Sequence, residues 1–350
     1  MQVVVFERSE AGKSASWAAA GMLAPQAEVG FENLHLLRLG QESLALYPQF
    51  LAELKEDSGR EVALDKRGTL MISLDRDDTE ALRREFAFRK KIGLPVEWLS
   101  GSEAREREPL LSPKIAAAIW LAQDYQIDNR EVMRALRDAF VQRGGLLFEY
   151  QPVERVLVEQ STVVGIKVKS GAVRARQVVV AAGCWSREIG GIPDEAVPAV
   201  RPVKGQVLTL KMTTQIQLEK VVRSPRVYLA PKFDGRLTIG ATSEEMGFNV
   251  TPTAGGVMTL LDEAYEAVPA IYELPIEEVS VGLRPASRDN EPLVGESPVK
   301  NLFIATGHYR HGILLAPITS YALAAMMCGE PVPESLVPFR PTRFLSTHTS

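Results

Sequence analysis

Apolar positions along the chain change spacing repeatedly, and the changes outline the fold. Residues 2–6 are a β-branched run closing on Glu7-Arg8, the pattern of a buried parallel strand. A tract of small residues follows at 12–25, including Ser14, Ala15, Ser16, Ala18, Ala19, Ala20 and Gly21. Helical spacing returns at Leu34, Leu37, Leu44 and Leu51, with a kink expected at Pro48. Strands are predicted over 68–74 and 116–121, a charged solvent-facing helix over 78–92, and a helix over 129–143 ended by Gly144-Gly145. From Leu146 the texture is β, with strands predicted over 146–150, 153–159, 163–168 and 177–182, the last running into Gly183-Cys184-Trp185-Ser186. Arg201-Pro202-Val203-Lys204-Gly205-Gln206 opens an antiparallel stretch, with strands over 207–210, 227–231, 237–242 and 279–283 and a helix over 259–268. A strand over 301–306 then runs into Gly307, which opens an apolar helix reaching Gly329; beyond Val337 the polar tail is expected to fray.

With βα units at both ends and an antiparallel middle, the chain reads as α/β plus α+β. The architecture that fits is a dinucleotide-binding fold carrying an inserted antiparallel substrate sheet. The dinucleotide part is assigned to residues 1–60, 125–198 and 288–336, the substrate part to 61–124 and 199–287, and a tail to 337–350. In such a fold an acidic residue closing the second strand meets the ribose, and a G-x-G-x-x-G turn lies about 20 residues before it. Glu7 has that context, yet no G-x-G-x-x-G occurs in the sequence. Two readings stand. Either the chain starts at an internal methionine, so that the fold is N-terminally incomplete, or there is no dinucleotide fold and Glu7-Arg8 merely ends a strand.

The bulk numbers narrow the function classes. Net charge is −4 across 350 residues with no Lys/Arg block, so nucleic acid and anionic membranes are poor partners. The longest apolar run, 312–327, is broken by Pro317 and Thr319 and falls short of a membrane span. No signal peptide is recognisable, and a cytoplasmic location is expected. Two cysteines, Cys184 and Cys328, and four histidines leave no disulfide framework or Cys-rich metal site, and both cysteines read as packing residues.

Two segments carry the chemistry. Gly307-His308-Tyr309-Arg310-His311-Gly312-Ile313-Leu314-Leu315-Ala316-Pro317 sets glycines and a cation at a strand-to-helix turn, whose free N–H groups suit an anionic or electron-rich planar ligand. Gly282-Leu283-Arg284-Pro285 places a second arginine beside a glycine.

With Val3-Val4-Val5-Phe6-Glu7-Arg8, Ala20-Gly21-Met22-Leu23-Ala24-Pro25, Val178-Val179-Val180-Ala181-Ala182-Gly183 and Pro202-Val203-Lys204-Gly205-Gln206, these segments resemble the D-amino-acid oxidase family of FAD-dependent oxidoreductases. The likeness is strongest to its glycine-oxidase branch, which serves thiamine biosynthesis. The resemblance implies noncovalent FAD, since relatives with covalent flavin use a cysteine and none lies between Cys184 and Cys328. It implies Arg284 as the clamp on a substrate carboxylate, assisted by Tyr228, with Arg310 touching flavin or shaping the substrate pocket. FAD contacts are implied at Glu7, Arg8, Ser14, Ala20, Gly21, Met22, Val153, Gly183, His308, Gly312, Ile313 and Leu314, with Val153 meeting adenine through its backbone. His311 stands where the family often has asparagine and is expected to be peripheral. Ser243 stands where some members have a methionine, which leaves the preferred side-chain size open.

No catalytic acid–base pair, nucleophile or metal is implied. A neutral amine held with its Cα–H over the flavin can lose hydride directly, positioning supplying most of the catalysis. Glycine would yield glyoxylate and ammonia, and oxygen would yield hydrogen peroxide. The partners expected are therefore a small amino acid and oxygen, with homo-oligomerisation possible. A D-amino-acid dehydrogenase using another acceptor, and a flavin-free inactive fragment, remain as alternatives.

Overall fold

The computed structural model describes residues 2–31 and 33–345. Its largest element is an eight-stranded sheet drawn from two separate stretches of the chain. In spatial order the strands are Ile276–Ala286, Arg201–Lys211, Arg236–Gly240, Tyr228–Pro231, Val221–Arg223, Thr69–Ser73, Ala117–Leu121 and Val96–Ser100. Every neighbouring pair is antiparallel except the parallel seam joining Val221–Arg223 to Thr69–Ser73. Helix Ala254–Ala267 covers one face through Leu260, Ala264 and Ala267, which pack on Leu208, Leu229 and Ile239. At the other end Ile119, Leu121 and Val96 pack with Leu82 of helix Arg76–Lys91.

The rest of the chain forms smaller sheets. Val4–Phe6 pairs in parallel with Leu146–Phe148, and Val178–Val180 pairs in parallel with Leu302–Thr306, which also pairs with Leu293–Glu296. Helices Leu34–Ser58, Asn129–Gln142 and Ala316–Cys328 pack into one apolar cluster around Leu39, Tyr47, Ile318 and Phe303.

Several expectations need correction. The strand at Val4–Phe6 is parallel but not buried: Val3, Val4 and Val5 are 45%, 37% and 39% exposed, because among the described residues it has a partner on one side only. Pro48 lies inside a helix that runs over Leu34–Ser58 without a break. The charged helix is not wholly solvent-facing, since Arg89 is 1% exposed and donates to the Gln26 carbonyl at 2.9 Å and the Ala27 carbonyl at 3.2 Å. The chain past Val337 is docked through Leu345 by buried Phe339 and by Arg343, which meets Asp289 at 2.7 Å; residues 346–350 lie outside the described residues. Cys184 is buried as expected, but Cys328 is exposed.

The final helix also begins later than its sequence suggests. It spans Ala316–Cys328 and ends on left-handed Gly329, while residues 312–315 form a turn. Pro317 explains the start: a proline in the first helical turn lacks only an N–H that would go unpaired there.

Candidate active site

A cavity of about 840 Å³ lies between the large sheet and the two turns that flank it. One wall is sheet: Gly205, Gln206, Arg223, Tyr228, Gly282 and Arg284, with Thr242 just past a strand end. The other is a short helix and turns: Ala15, Ser16, Ala18 to Met22, Gly183, and the segment from His308 to Leu314. The carboxylate-clamp candidate Arg284 and the amides of Gly312, Ile313 and Leu314 thus face one space.

Arg284 is fixed by the strand pairing that sets Val203 opposite it and Gly205 opposite Gly282. Its guanidinium lies over Gly205, where a Cβ would approach Nη1 to 2.5 Å and push the guanidinium aside. Nη1 donates to the Thr242 carbonyl at 3.0 Å. Burial lowers its pKa, and Arg310 adds to the effect, although a guanidinium stays charged throughout. Tyr228 is opposite Gly240 on one side and Arg223 on the other. Burial raises its pKa, so the phenol is protonated and can donate.

The 312–314 turn is aimed by the helix behind it. Tyr47 Oη donates to the Ile313 carbonyl at 2.5 Å and Ser43 Oγ to the Leu314 carbonyl at 2.6 Å. In a trans peptide C=O and N–H point oppositely, so anchoring the Ile313 carbonyl on that helix turns the Leu314 N–H away from it. Among the described residues no acceptor takes the N–H of Gly312, Ile313 or Leu314. His308 and Tyr309 bind this turn to the sheet: His308 bridges Ala286, and the Tyr309 N–H meets the Pro285 carbonyl at 2.9 Å.

The Ala20-Gly21-Met22 turn is held from below. Gly21 has φ +72°, and a Cβ there would lie 2.0 Å from the Ile127 carbonyl oxygen. Buried Lys232 spends its ammonium on three acceptors: the Ala20 carbonyl at 2.5 Å, Gln126 Oε1 at 3.0 Å and the Ile127 carbonyl at 3.0 Å. Burial brings its pKa down to about 8, still charged at neutral pH.

Of the residues singled out from sequence, Ala20, Gly21, Met22, Gly183, Tyr228, Arg284, His308, Arg310, Gly312, Ile313 and Leu314 line the cavity. Glu7, Arg8, Ser14 and Val153 do not. Glu7 Oε1 accepts from the N–H and hydroxyl of Ser9, both at 3.0 Å, and the Arg8 guanidinium lies 3.5 Å from the centre of the Trp185 ring. Ser14 caps a short helix without a side-chain bond, and Val153 opens the strand Val153–Glu159. His311 is not peripheral: it is buried and lines the cavity. Arg223, Glu28, Lys232 and Tyr47 gave no sequence signal tying them to the site. Arg223 could have been noticed only as a lone cation in an otherwise apolar strand.

Both turn histidines titrate low, His308 and His311 at about 4, burial being the main cause. Against an unfolded value of about 6.5, the unfolded chain binds more protons between pH 6.5 and 4, so stability falls as the solution is acidified through that window. For His311 the loss amounts to roughly 3 kcal/mol. Urea midpoints measured from pH 7.5 to 4.5 should drop steadily, and His311→Asn should flatten the curve. A flat wild-type profile would mean that the rings take up protons inside the fold.

Over residues 1–326 the sequence matches the family described as FAD dependent oxidoreductase. The chain belongs to this family, and it is an FAD-dependent enzyme of the amino-acid oxidase type. It is 34% identical over 346 residues to the glycine oxidase of Geobacillus kaustophilus, covering 98% of this chain and 91% of that enzyme. The crystal structure of glycine oxidase from that organism matches with a TM-score of 0.91, covering 99% of this chain and 93% of the other. A bifunctional ThiO/ThiG protein of Trichormus variabilis is 33% identical over 334 residues, which is 95% of this chain but 50% of that longer protein. The reading without a dinucleotide fold is thereby overturned. The cavity fits the flavin end of FAD, because small residues leave room for a flat ring and three unpaired N–H groups can meet an electron-rich edge. Neither cysteine lines the cavity.

Proposed function

We propose that the chain oxidises glycine or another small amino acid to the keto acid, ammonia and hydrogen peroxide, in the service of thiamine biosynthesis. For glycine the products are glyoxylate, ammonia and peroxide, from one oxygen and one water. The observation that carries this is the shared cavity of Arg284 and the 312–314 amides. Bound FAD supplies the hydride acceptor and the route of electrons to oxygen.

The residues supply the geometry. Arg284 takes the carboxylate in its planar fork, and the Tyr228 hydroxyl donates to the same group. The 312–314 amides hold the pyrimidine edge of the ring, and Ala20, Gly21 and Met22 allow close approach to its plane. Neither role needs a side chain that moves a proton. Glu7, Arg8, Ser14 and Val153 are read as contacts to the adenosine half. Residues 1–60, 125–198 and 288–336 are read as the FAD-binding part, and 61–124 with 199–287 as the substrate part. The similarity to proteins named glycine oxidase and ThiO/ThiG supports substrate and pathway.

The test is to purify the protein, record its visible spectrum and supply glycine in air. Yellow protein forming peroxide and glyoxylate in equal amounts is the expected result. Colourless protein that stays inactive with added FAD would overturn the proposal. Turnover with a quinone or dye but without oxygen uptake would replace the oxidase by a dehydrogenase.

A further inference from the structure

Arg284 has no carboxylate of the protein to hold it. Among the described residues no ion pair reaches it, and its Nη1 donates only to two backbone carbonyls, Thr242 at 3.0 Å and Lys204 at 3.5 Å. Where those carbonyls point decides where the rest of the planar fork points. Both belong to residues whose side chains are tied to one carboxylate, that of Glu244.

Glu244 collects three donors. Thr242 Oγ1 donates to its Oε1 at 2.5 Å, Gln206 Nε2 donates to the same oxygen at 2.7 Å, and Lys204 Nζ lies 3.3 Å from Oε2. The backbone closes the grip, since Lys204 and Glu244 exchange N–H···O bonds at 2.9 and 3.0 Å. Lys204 and Gln206 are fully buried and flank Gly205, the residue on which the guanidinium lies. The returning chain braces them: Lys204 Nζ donates to the Thr251 carbonyl at 2.8 Å, and Gln206 Oε1 accepts from the Thr253 N–H at 2.8 Å. Burial alone would raise the Glu244 pKa, but the bonds from Thr242, Gln206 and Lys204 outweigh it and hold the carboxyl below its usual range. Among the described residues Glu244 is the only carboxylate paired with the Lys204 ammonium, so its charge is costly to remove.

We propose that Glu244 is a positioning residue for substrate binding: it locks the Thr242 and Lys204 carbonyls, and through them the plane in which Arg284 offers its fork to a carboxylate. This rests on the reading of Arg284 as the substrate clamp given above, and adds the group that sets its orientation. Glu244 acts through Arg284 rather than on the substrate. Its loss therefore weakens carboxylate binding and spares the turnover of substrate once bound.

The test titrates flavin-loaded, full-length protein with acetate by calorimetry and assays it with glycine at steady state. Acetate has a carboxylate and no amine, so it reports the clamp alone. Glu244→Gln should weaken acetate binding and raise the KM for glycine by a similar factor, about five- to tenfold, with kcat changed by less than about twofold. Added to Arg284→Lys, the same substitution should change kcat/KM little further, because no fork is left to orient. Thr242→Val cuts one of the three bonds and should give a smaller shift of the same kind, with Thr242→Ser restoring wild-type values; this pair decides the matter if Glu244→Gln fails to fold. Unchanged acetate binding in Glu244→Gln or, failing that, in Thr242→Val would overturn the inference. A higher glycine KM with acetate unaffected would also overturn it, since Glu244 would then meet the amine directly. Full additivity with Arg284→Lys, beside a lower urea midpoint, would reduce Glu244 to a structural residue. Wild-type protein that does not bind acetate would sink the clamp and this inference together. The acetate shifts without any oxidation of glycine would reject the oxidase reading and leave the positioning role standing.

Discussion

Arg284→Lys should raise the KM for the amino-acid substrate by about ten- to a hundredfold, corresponding to roughly 1.5–3 kcal/mol. The guanidinium is nearly enclosed and lies flat over Gly205, and its protein bonds go only to carbonyl oxygens, including that of Thr242 at 3.0 Å. Two parallel N–H donors therefore remain for a carboxylate. Lysine keeps the charge but replaces the fork with a point donor on a shorter reach. It also leaves the Thr242 carbonyl without its partner. Flavin content should hold, because Arg284 belongs to the sheet wall rather than to the turns that face it. Steady-state assays on flavin-loaded protein check the prediction, and an unchanged KM would remove Arg284 from the substrate site.

Lys232→Met should cost about 3–5 kcal/mol of stability, the largest effect expected from a residue that does not touch the substrate. Methionine fills similar volume, so the loss isolates hydrogen bonding from packing. It would leave the Ala20 carbonyl, Gln126 Oε1 and the Ile127 carbonyl buried without their shared donor. Each unpaired acceptor costs about 1–3 kcal/mol, and neighbouring bonds absorb part of the sum. The same ammonium supports the left-handed Gly21 turn, so the flavin spectrum of the surviving protein should shift as that turn relaxes. Urea unfolding with an unchanged m-value measures the loss, and a change below about 1 kcal/mol would mean that water takes over the three bonds.

The elements legible from sequence were those whose signal is local. The strand at Leu302–Thr306 and the helix at Asn129–Gln142 are close to the spans that periodicity predicts. The helix also carries its own signal, an Asp128 cap accepting from the Arg130 and Glu131 N–H groups. Short strands such as Val96–Ser100, Tyr125–Ile127 and Val221–Arg223 were missed, because none of them has an uninterrupted apolar run like Leu302-Phe303-Ile304-Ala305. What makes them strands is the neighbour each one pairs with, as far as 152 positions away in the chain.

The site divides in the same way. Residue type and adjacent glycines pointed to Arg284 and to the 312–314 turn without a structure, since a carboxylate fork and a run of free amides are properties of a few consecutive residues. Arg223, Glu28, His311 and Lys232 could not be placed so. The chemistry of each depends on what faces it across a sheet or beneath a turn: Tyr228 beside Arg223, the Ala20 carbonyl above Lys232. The sequence by itself determined the family and the cofactor, and it singled out Arg284, which lines the cavity. Only the tertiary structure decided the charge balance of the cavity, because burial and ion pairing are set by groups distant in the chain.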